Sequence, residues 1–350
     1  MFFENYQIDK QLKIGITHLL SNITTREGSH KGGWTRLLKC QLANLGYNNV
    51  TILDNKNSLQ EFDVIIFDLG AEFSGALNMF GGLDEKVFKR LKEIKIFTGP
   101  IYSWRNELPS VLTLDGRRTN ASTCEAFKAT EATFLNEVQE VLNKVQVFQH
   151  AYQTKKVLIG DSHTPSVWTP EFMIERRDGR TLKGMIDKGT IHKIVNTNFR
   201  QHGMEINTVH VHCSSIDIRH HVMREPNGFE ATAQLASQLL EKLMQVSEAK
   251  LIVTHSMGIE DESRELPKTG YFRGTPFFGS WADRDKCRQI FNAVMDELPK
   301  MDHDTQVIHF PEYFFDETGK LKFEVMEKPQ SVHLSPEHYR WDLDKNTQRW

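Results

Sequence analysis

The segment Lys155-Lys156-Val157-Leu158-Ile159-Gly160-Asp161-Ser162-His163-Thr164 sets an apolar run directly against a Gly-Asp-Ser-His turn. A strand that ends in a small residue, an acid and a hydroxyl presents that hydroxyl at the carboxyl edge of its sheet. Open α/β sheets bind their ligands at that edge. Ser162 is therefore the candidate nucleophile. A serine nucleophile needs a base within hydrogen-bond reach, and Ser331-Val332-His333-Leu334-Ser335 offers His333 in a polar turn far along the chain. The chemistry such a pair performs is acyl transfer, with Ser162 attacking an acyl carbon and His333 taking its proton. Asp161 is expected to hold backbone N–H groups and shape the turn.

Other polar groups at strand ends read differently. His210 and His212 share one side of the run Thr208-Val209-His210-Val211-His212 and read as packed or hydrogen-bonded core groups. Asp217 and Arg219, just beyond it, read either as a structural ion pair or as a pair that orients substrate. Thr254-His255-Ser256-Met257-Gly258 has the outline of a Gly-x-Ser-x-Gly elbow, but the first glycine is missing and no acid-then-histidine order follows. Its His255 remains a candidate for the pocket lining.

Taken together, these blocks resemble the SGNH (GDSL-type) hydrolases. Gly160-Asp161-Ser162-His163 looks like their opening block and Val332-His333-Leu334-Ser335 like their closing block. The run from Val209 to His221 is similar to the middle block of a GDSH-type branch, where a strand ends in a Gly-Glu-Ile-Asp-Cys-Arg-like turn. The turn Phe315-Asp316-Glu317-Thr318-Gly319-Lys320-Leu321 agrees with this order. The resemblance implies a flavodoxin-like three-layer sandwich with a parallel sheet, and a small-molecule ester or glycan substrate, a sugar or modified nucleotide among the options. It also implies an oxyanion hole from the backbone N–H groups of Ser162 and Gly184, helped by Ser214, with His163 beside the substrate. It implies no metal and no organic cofactor.

Two positions depart from that pattern. The family's closing Asp-x-x-His carries Gln330 where the acid belongs, so the expected orienter of His333 accepts through a neutral carbonyl. Loss of the charged orienter in a serine triad costs orders of magnitude in turnover. In the middle block, Ser214 and Ile216 stand where a Gly and an Asn normally serve the oxyanion, and one lost donor costs about 10²–10³ in rate.

The elements that must carry these residues follow from pattern. Val157–Ile159, Thr208–His212, Leu251–Thr254 and Gln306–Phe310 read as strands. Ala231–Val246 and Asp283–Leu298 read as helices, and the alternation predicts a parallel sheet. The first half repeats the scheme: Leu12–Thr17, Val50–Leu53, Asp63–Phe67 and Ile94–Thr98 are strand-like, and Trp34–Leu45 is a helix ending at Gly46. The expected fold is thus α/β with two Rossmann-like domains, residues 1–118 and 151–350. Between them a helical connector is expected over residues 119–150, with apolar helical spacing from Ser122 to Phe148.

The first domain has its own candidate ligand loops. Gly28, Ser29, Gly32 and Gly33 join the first strand to the first helix, where turned backbone N–H groups and a helix start favour an anion. Gly81 and Gly82 follow a buried strand near the same edge. This half resembles the amino-terminal lobe of GT-B glycosyltransferases, the phage DNA β-glucosyltransferases among them, through Phe62–Phe67, Phe80-Gly81-Gly82 and Lys95-Ile96-Phe97. The resemblance implies a nucleotide sugar or modified nucleic acid as partner. The alternative to an esterase is then a nucleotide-sugar or modified-DNA binding protein with a decayed hydrolase site.

Composition bounds both readings. At 350 residues, with 39% hydrophobic and 25% charged residues, the chain can bury a sizeable core. A net charge of −3 supplies no general attraction to nucleic acid, so such a contact would need a local basic patch. No run approaches the roughly 18 apolar residues of a membrane helix. Met1-Phe2-Phe3-Glu4-Asn5 lacks the basic start of a secretory signal, which makes the expected compartment cytoplasmic. Cys40, Cys124, Cys213 and Cys287 form no Cys-x-x-Cys and read as free thiols, which fits a reducing compartment.

Overall fold

The computed structural model describes residues 9–16, 46–53, 58–67 and 85–98, single positions between 36 and 43 and between 136 and 147, and most of 155–350. Within that last stretch it leaves out 177–178, 199–204, 247, 260–273, 302 and 328–330. The chain divides into two compact units, Met1–Tyr152 and Gln153–Trp350. Both are α/β, and each is built on a five-stranded parallel sheet. Among the described residues no helix is long and apolar enough to cross a membrane.

The first sheet contains β1 (Ile14–Ile16), β2 (Val50–Ile52), β3 (Val64–Phe67), β4 (Lys95–Thr98) and β5 (Gln146–Val147), in the order β2-β1-β3-β4-β5. Its first four strands fall on the expected apolar runs, with Ile14, Ile16, Val50, Val64, Ile65, Ile66 and Ile96 buried. The described helical positions 36–43 end at Gly46, whose φ of 87° is the left-handed stop that glycine adopts most easily. One helix was not expected, α1 (Glu85–Glu93), whose Arg90 reaches back to the Phe62 carbonyl at 2.7 Å.

The expected connector does not run as a helix to Phe148. Asn136 and Glu140 are helical, but Gln146–Val147 pairs in parallel with β4. The apolar spacing alone does not separate a helix from a strand at this end of the segment. The loop residues Gly28, Ser29, Gly32, Gly33, Gly81 and Gly82, and Gln330 in the second unit, lie outside the described residues.

The second sheet contains β6 (Lys156–Gly160), β7 (Met173–Arg176), β8 (Thr208–His212), β9 (Lys250–Thr254) and β10 (Thr305–Ile308), in the order β10-β9-β8-β6-β7. The first strand of this unit is flanked by its second and third, so the chain reverses its direction of travel across the sheet at β6. β7 escapes an apolar-run reading because it ends in Glu175-Arg176, yet both side chains are buried. Burial pushes the Glu175 carboxyl up to about 7 against the opposing pull of Arg180. β10 ends two residues before the predicted limit, which frees His309 from the strand.

Capping sets where the helices begin. α2 (Leu182–Asp187) was not expected, and Thr181 caps it. α3 (Gly228–Met244) starts behind Asn227, and α4 (Trp281–Met295) behind a reciprocal capping box of Ser280 and Asp283. Both therefore begin a little ahead of the expected starts, Ala231 and Asp283.

Gly160 closes β6 where no side chain fits. A Cβ there would fall on the His212 carbonyl and on Thr164 Oγ1. Because the main obstacle is backbone of the paired strand, Gly160→Ala should lose about 1–3 kcal/mol or more of stability, read by urea unfolding. A wild-type midpoint for that variant would show that β6 and β8 do not approach this closely.

Candidate active site

Ser162 leaves the carboxyl end of β6 on a turn tied down by its own neighbours. Asp161 Oδ1 accepts from the His163 N–H at 2.8 Å, as expected of a turn-shaping acid. Thr164 Oγ1 donates to the Asp161 carbonyl at 2.6 Å and Ser166 Oγ to the His163 carbonyl at 2.7 Å. The chain then enters a 3₁₀ turn, Thr164–Val167, with Pro165 in its first turn. The hydroxyl of Ser162 is half-buried at the top of this turn.

His333 arrives from the irregular C-terminal segment. That segment is pinned by the Phe315↔Leu321 and Met326↔Leu334 bridges, and by the Arg340 N–H donating to the Ser166 carbonyl at 2.8 Å. His333 Nε2 lies 2.8 Å from Ser162 Oγ, joining residues 171 positions apart. The proposed nucleophile and base thus meet.

The acid beside the base is Glu327. The antiparallel pairing of Met326 with Leu334 sets Glu327 directly opposite His333, and the Glu327 N–H donates to the His333 carbonyl at 3.0 Å. Directly opposed residues put their side chains on the same face, about 4.5–5.5 Å apart at Cβ. Glu327 Oε1 accordingly stands 3.6 Å from His333 Nδ1. Ser331 Oγ donates to the same oxygen at 2.9 Å while accepting from the His333 N–H at 3.2 Å, locking acid and base in one frame. A carboxylate at Nδ1 selects the tautomer that leaves Nε2 free to accept the serine proton. The acid-x-x-His spacing hides this residue, because Glu327 lies six positions before the histidine, across a bridge.

Several expected roles are reassigned. Gly184 N–H is taken by Thr181 Oγ1 at 3.1 Å as part of the α2 cap, so it is not an oxyanion donor. Asp217 and Arg219 do not pair with each other. Asp217 accepts from the Leu182 and Lys183 N–H groups, a second cap on α2. Burial lifts its carboxyl to about 6 although those N–H bonds pull it down. Arg219 donates to Ser215 Oγ at 3.0 Å. His163 is buried, and its ring stacks on His333 at 4.6 Å between centroids, so it supports the base ring instead of facing substrate. Ser214 is buried two residues beyond β8, at the same sheet edge as Ser162.

Two other nucleophilic side chains are not available for attack. Burial, with Asp161 and Asp217 nearby, pushes the Cys213 thiol well up, so it stays protonated. Ser256 is buried, with its N–H and carbonyl both held by the Asn292 amide. The described cysteines Cys40, Cys213 and Cys287 are buried and in no disulfide, in line with the expected thiols.

The histidines of β8 are core groups, as their strand position predicts. His210 Nε2 is 2.7 Å from Thr254 Oγ1. His212 packs edge-on against His163 and Phe310. No known protein family matches this chain, and no curated protein matches it.

Burial lowers the His212 imidazole from 6.5 to about 4. The folded state therefore resists its protonation, and the stability tied to the neutral ring is complete above about pH 6.5 and lost as pH falls toward 4. His212→Phe keeps an aromatic ring without the titration. Between pH 7 and 4.5 the variant should lose about 2–3 kcal/mol less stability than the parent in urea melts. Equal losses in both proteins would show that His212 is not held neutral.

Proposed function

We propose that the chain is a serine hydrolase or acyltransferase acting on an ester, with Ser162 as nucleophile, His333 as base and Glu327 as the acid that orients it. The observation that carries this reading is the Ser162 Oγ to His333 Nε2 contact of 2.8 Å, with Glu327 on the other face of the ring. Ser162 and the paired Glu327 and His333 reach the site on separate pieces of backbone, which favours a built constellation over a chance neighbour.

The chemistry follows from that line of groups. Ser162 Oγ attacks the acyl carbon as its proton passes to His333 Nε2, and Glu327 stabilises the imidazolium that forms. The imidazolium then protonates the leaving alcohol. A water, deprotonated by the same nitrogen, hydrolyses the acyl-enzyme, or a second alcohol takes the acyl group. The oxyanion falls to the Ser162 N–H and to Ser214 at the end of β8.

The strand order supports the finer fold reading. Counted within its own unit, the second sheet runs 2-1-3-4-5, the flavodoxin-like order, whose ligand position lies between strands 1 and 3. Those strands are β6 and β8, the carriers of Ser162 and Ser214. This agrees with the resemblance to the SGNH hydrolases, with Glu327 in place of the acid of their closing block.

A fluorophosphonate probe should label Ser162, located by peptide mapping. Ser162→Ala and His333→Ala should each abolish hydrolysis of short-chain aryl esters, since the two act as a unit. Glu327→Gln should lower kcat by about 10³–10⁴ while keeping the fold. Gln330→Asp should bring no comparable gain, because a carboxylate already faces the base. Turnover that survives Ser162→Ala would overturn the assignment, and an unimpaired Glu327→Gln enzyme would remove Glu327 from it.

A further inference from the structure

β9 and β10 lie side by side in parallel with Thr254 opposite Ile308, so the residue after each strand is held next to the other. Both of those residues are histidines, His255 and His309. The His255 N–H donates to the Ile308 carbonyl at 2.9 Å, fixing the offset, and the two rings sit 4.1 Å apart between centroids. An imidazole nitrogen is the commonest protein ligand for a transition metal, and two are held together here.

Asp296 completes the cluster in an electrostatically awkward position. It is the residue that ends α4, where carbonyl groups already concentrate negative charge, and the last turn of that helix carries no basic residue. An acid there adds like charge to like unless a cation compensates both. Its Oδ1 lies 2.8 Å from His255 Nε2 and 3.8 Å from His309 Nε2. The ligand atoms of all three residues fall within 4.8 Å of one another. A tetrahedral ion with bonds of about 2.0–2.1 Å needs ligand atoms about 3.3–3.4 Å apart. The two Asp296–histidine separations bracket that spacing, so small side-chain shifts suffice to close the site.

We infer that His255, His309 and Asp296 form a binding site for a divalent transition-metal ion of the zinc class, with its remaining coordination open to water. Two imidazoles and one carboxylate suit zinc, cobalt or nickel; magnesium and calcium prefer oxygen-only sets. Access is provided by the exposed sides of His309 and Asp296, at 60% and 47%, while His255 anchors the floor at 13%. A bound ion would clamp the carboxyl ends of β9 and β10 to the end of α4. The site uses none of Ser162, His333 or Glu327 and stands whatever becomes of the hydrolase assignment.

The test is calorimetric titration of zinc into chelator-stripped full-length protein, with cobalt(II) absorption as a second reporter of the ligand set. The expected result is one ion per chain, with a cobalt spectrum that competing zinc displaces. His309→Ala removes an exposed ligand and Asp296→Asn removes the charge. Each should weaken binding by at least about 100-fold with the circular dichroism unchanged. His192→Ala, an exposed histidine outside the cluster, should bind as the parent does. Absence of saturable binding would overturn the proposal, as would binding of parental strength in both His309→Ala and Asp296→Asn.

Discussion

β6 is gripped on both sides by parallel partners, and the site depends on how closely they approach. Gly160 pairs with Arg176 of β7 and His212 of β8, with the His212 carbonyl standing where a side chain would be. That contact fixes the point at which the chain can leave the sheet, and hence the height of Ser162 above it. The same closeness brings the ends of β6 and β8 together, so the Ser162 turn and Ser214 share one edge. Arg180 reinforces the joint by donating to the carbonyls of Gly160 and Glu175.

A second constraint is the housing of charge in a buried region. Asp161, Asp217 and Glu327 all sit in low-exposure surroundings, and each faces hydrogen-bond donors. Asp161 and Asp217 meet backbone N–H groups, which builds a turn and starts a helix. Glu327 meets a side-chain hydroxyl and an imidazole, and this difference in partners separates its role from theirs. Asp161 and Asp217 are held by backbone, whereas Glu327 is held against a ring that also touches a hydroxyl.

The C-terminal segment shows how little regular structure such an arrangement needs. The isolated bridge of Met326 with Leu334 is enough to set an acid opposite a base. The Asp316 turn helps to hold the approach to it, with Oδ1 accepting from the Thr318 and Lys320 N–H groups and Gly319 in the left-handed region. Contact with the sheet comes through Arg340 and Ser166, next to the Ser162 turn itself.

Much of the scaffold was legible in the residues alone. Short apolar runs mark strands, so β1 to β4, β6 and β8 to β10 follow from local composition. The Gly-Asp-Ser turn and the late histidine are local patterns as well. β5 and β7 were not legible, because a two-residue strand has no period and Glu175-Arg176 look like surface until a neighbour covers them. The acid of the site was hidden for a related reason. Spacing along the chain favoured Gln330, whereas Glu327 becomes the neighbour of His333 only through a cross-strand pairing, and register between segments is decided by packing. The fates of Gly184, Asp217 and His163 likewise turned on which donor or ring lay nearest after folding. Sequence by itself determined which groups were available and which segments would be buried; tertiary structure decided which of them touch, because contact distances are set by strand register and not by position along the chain.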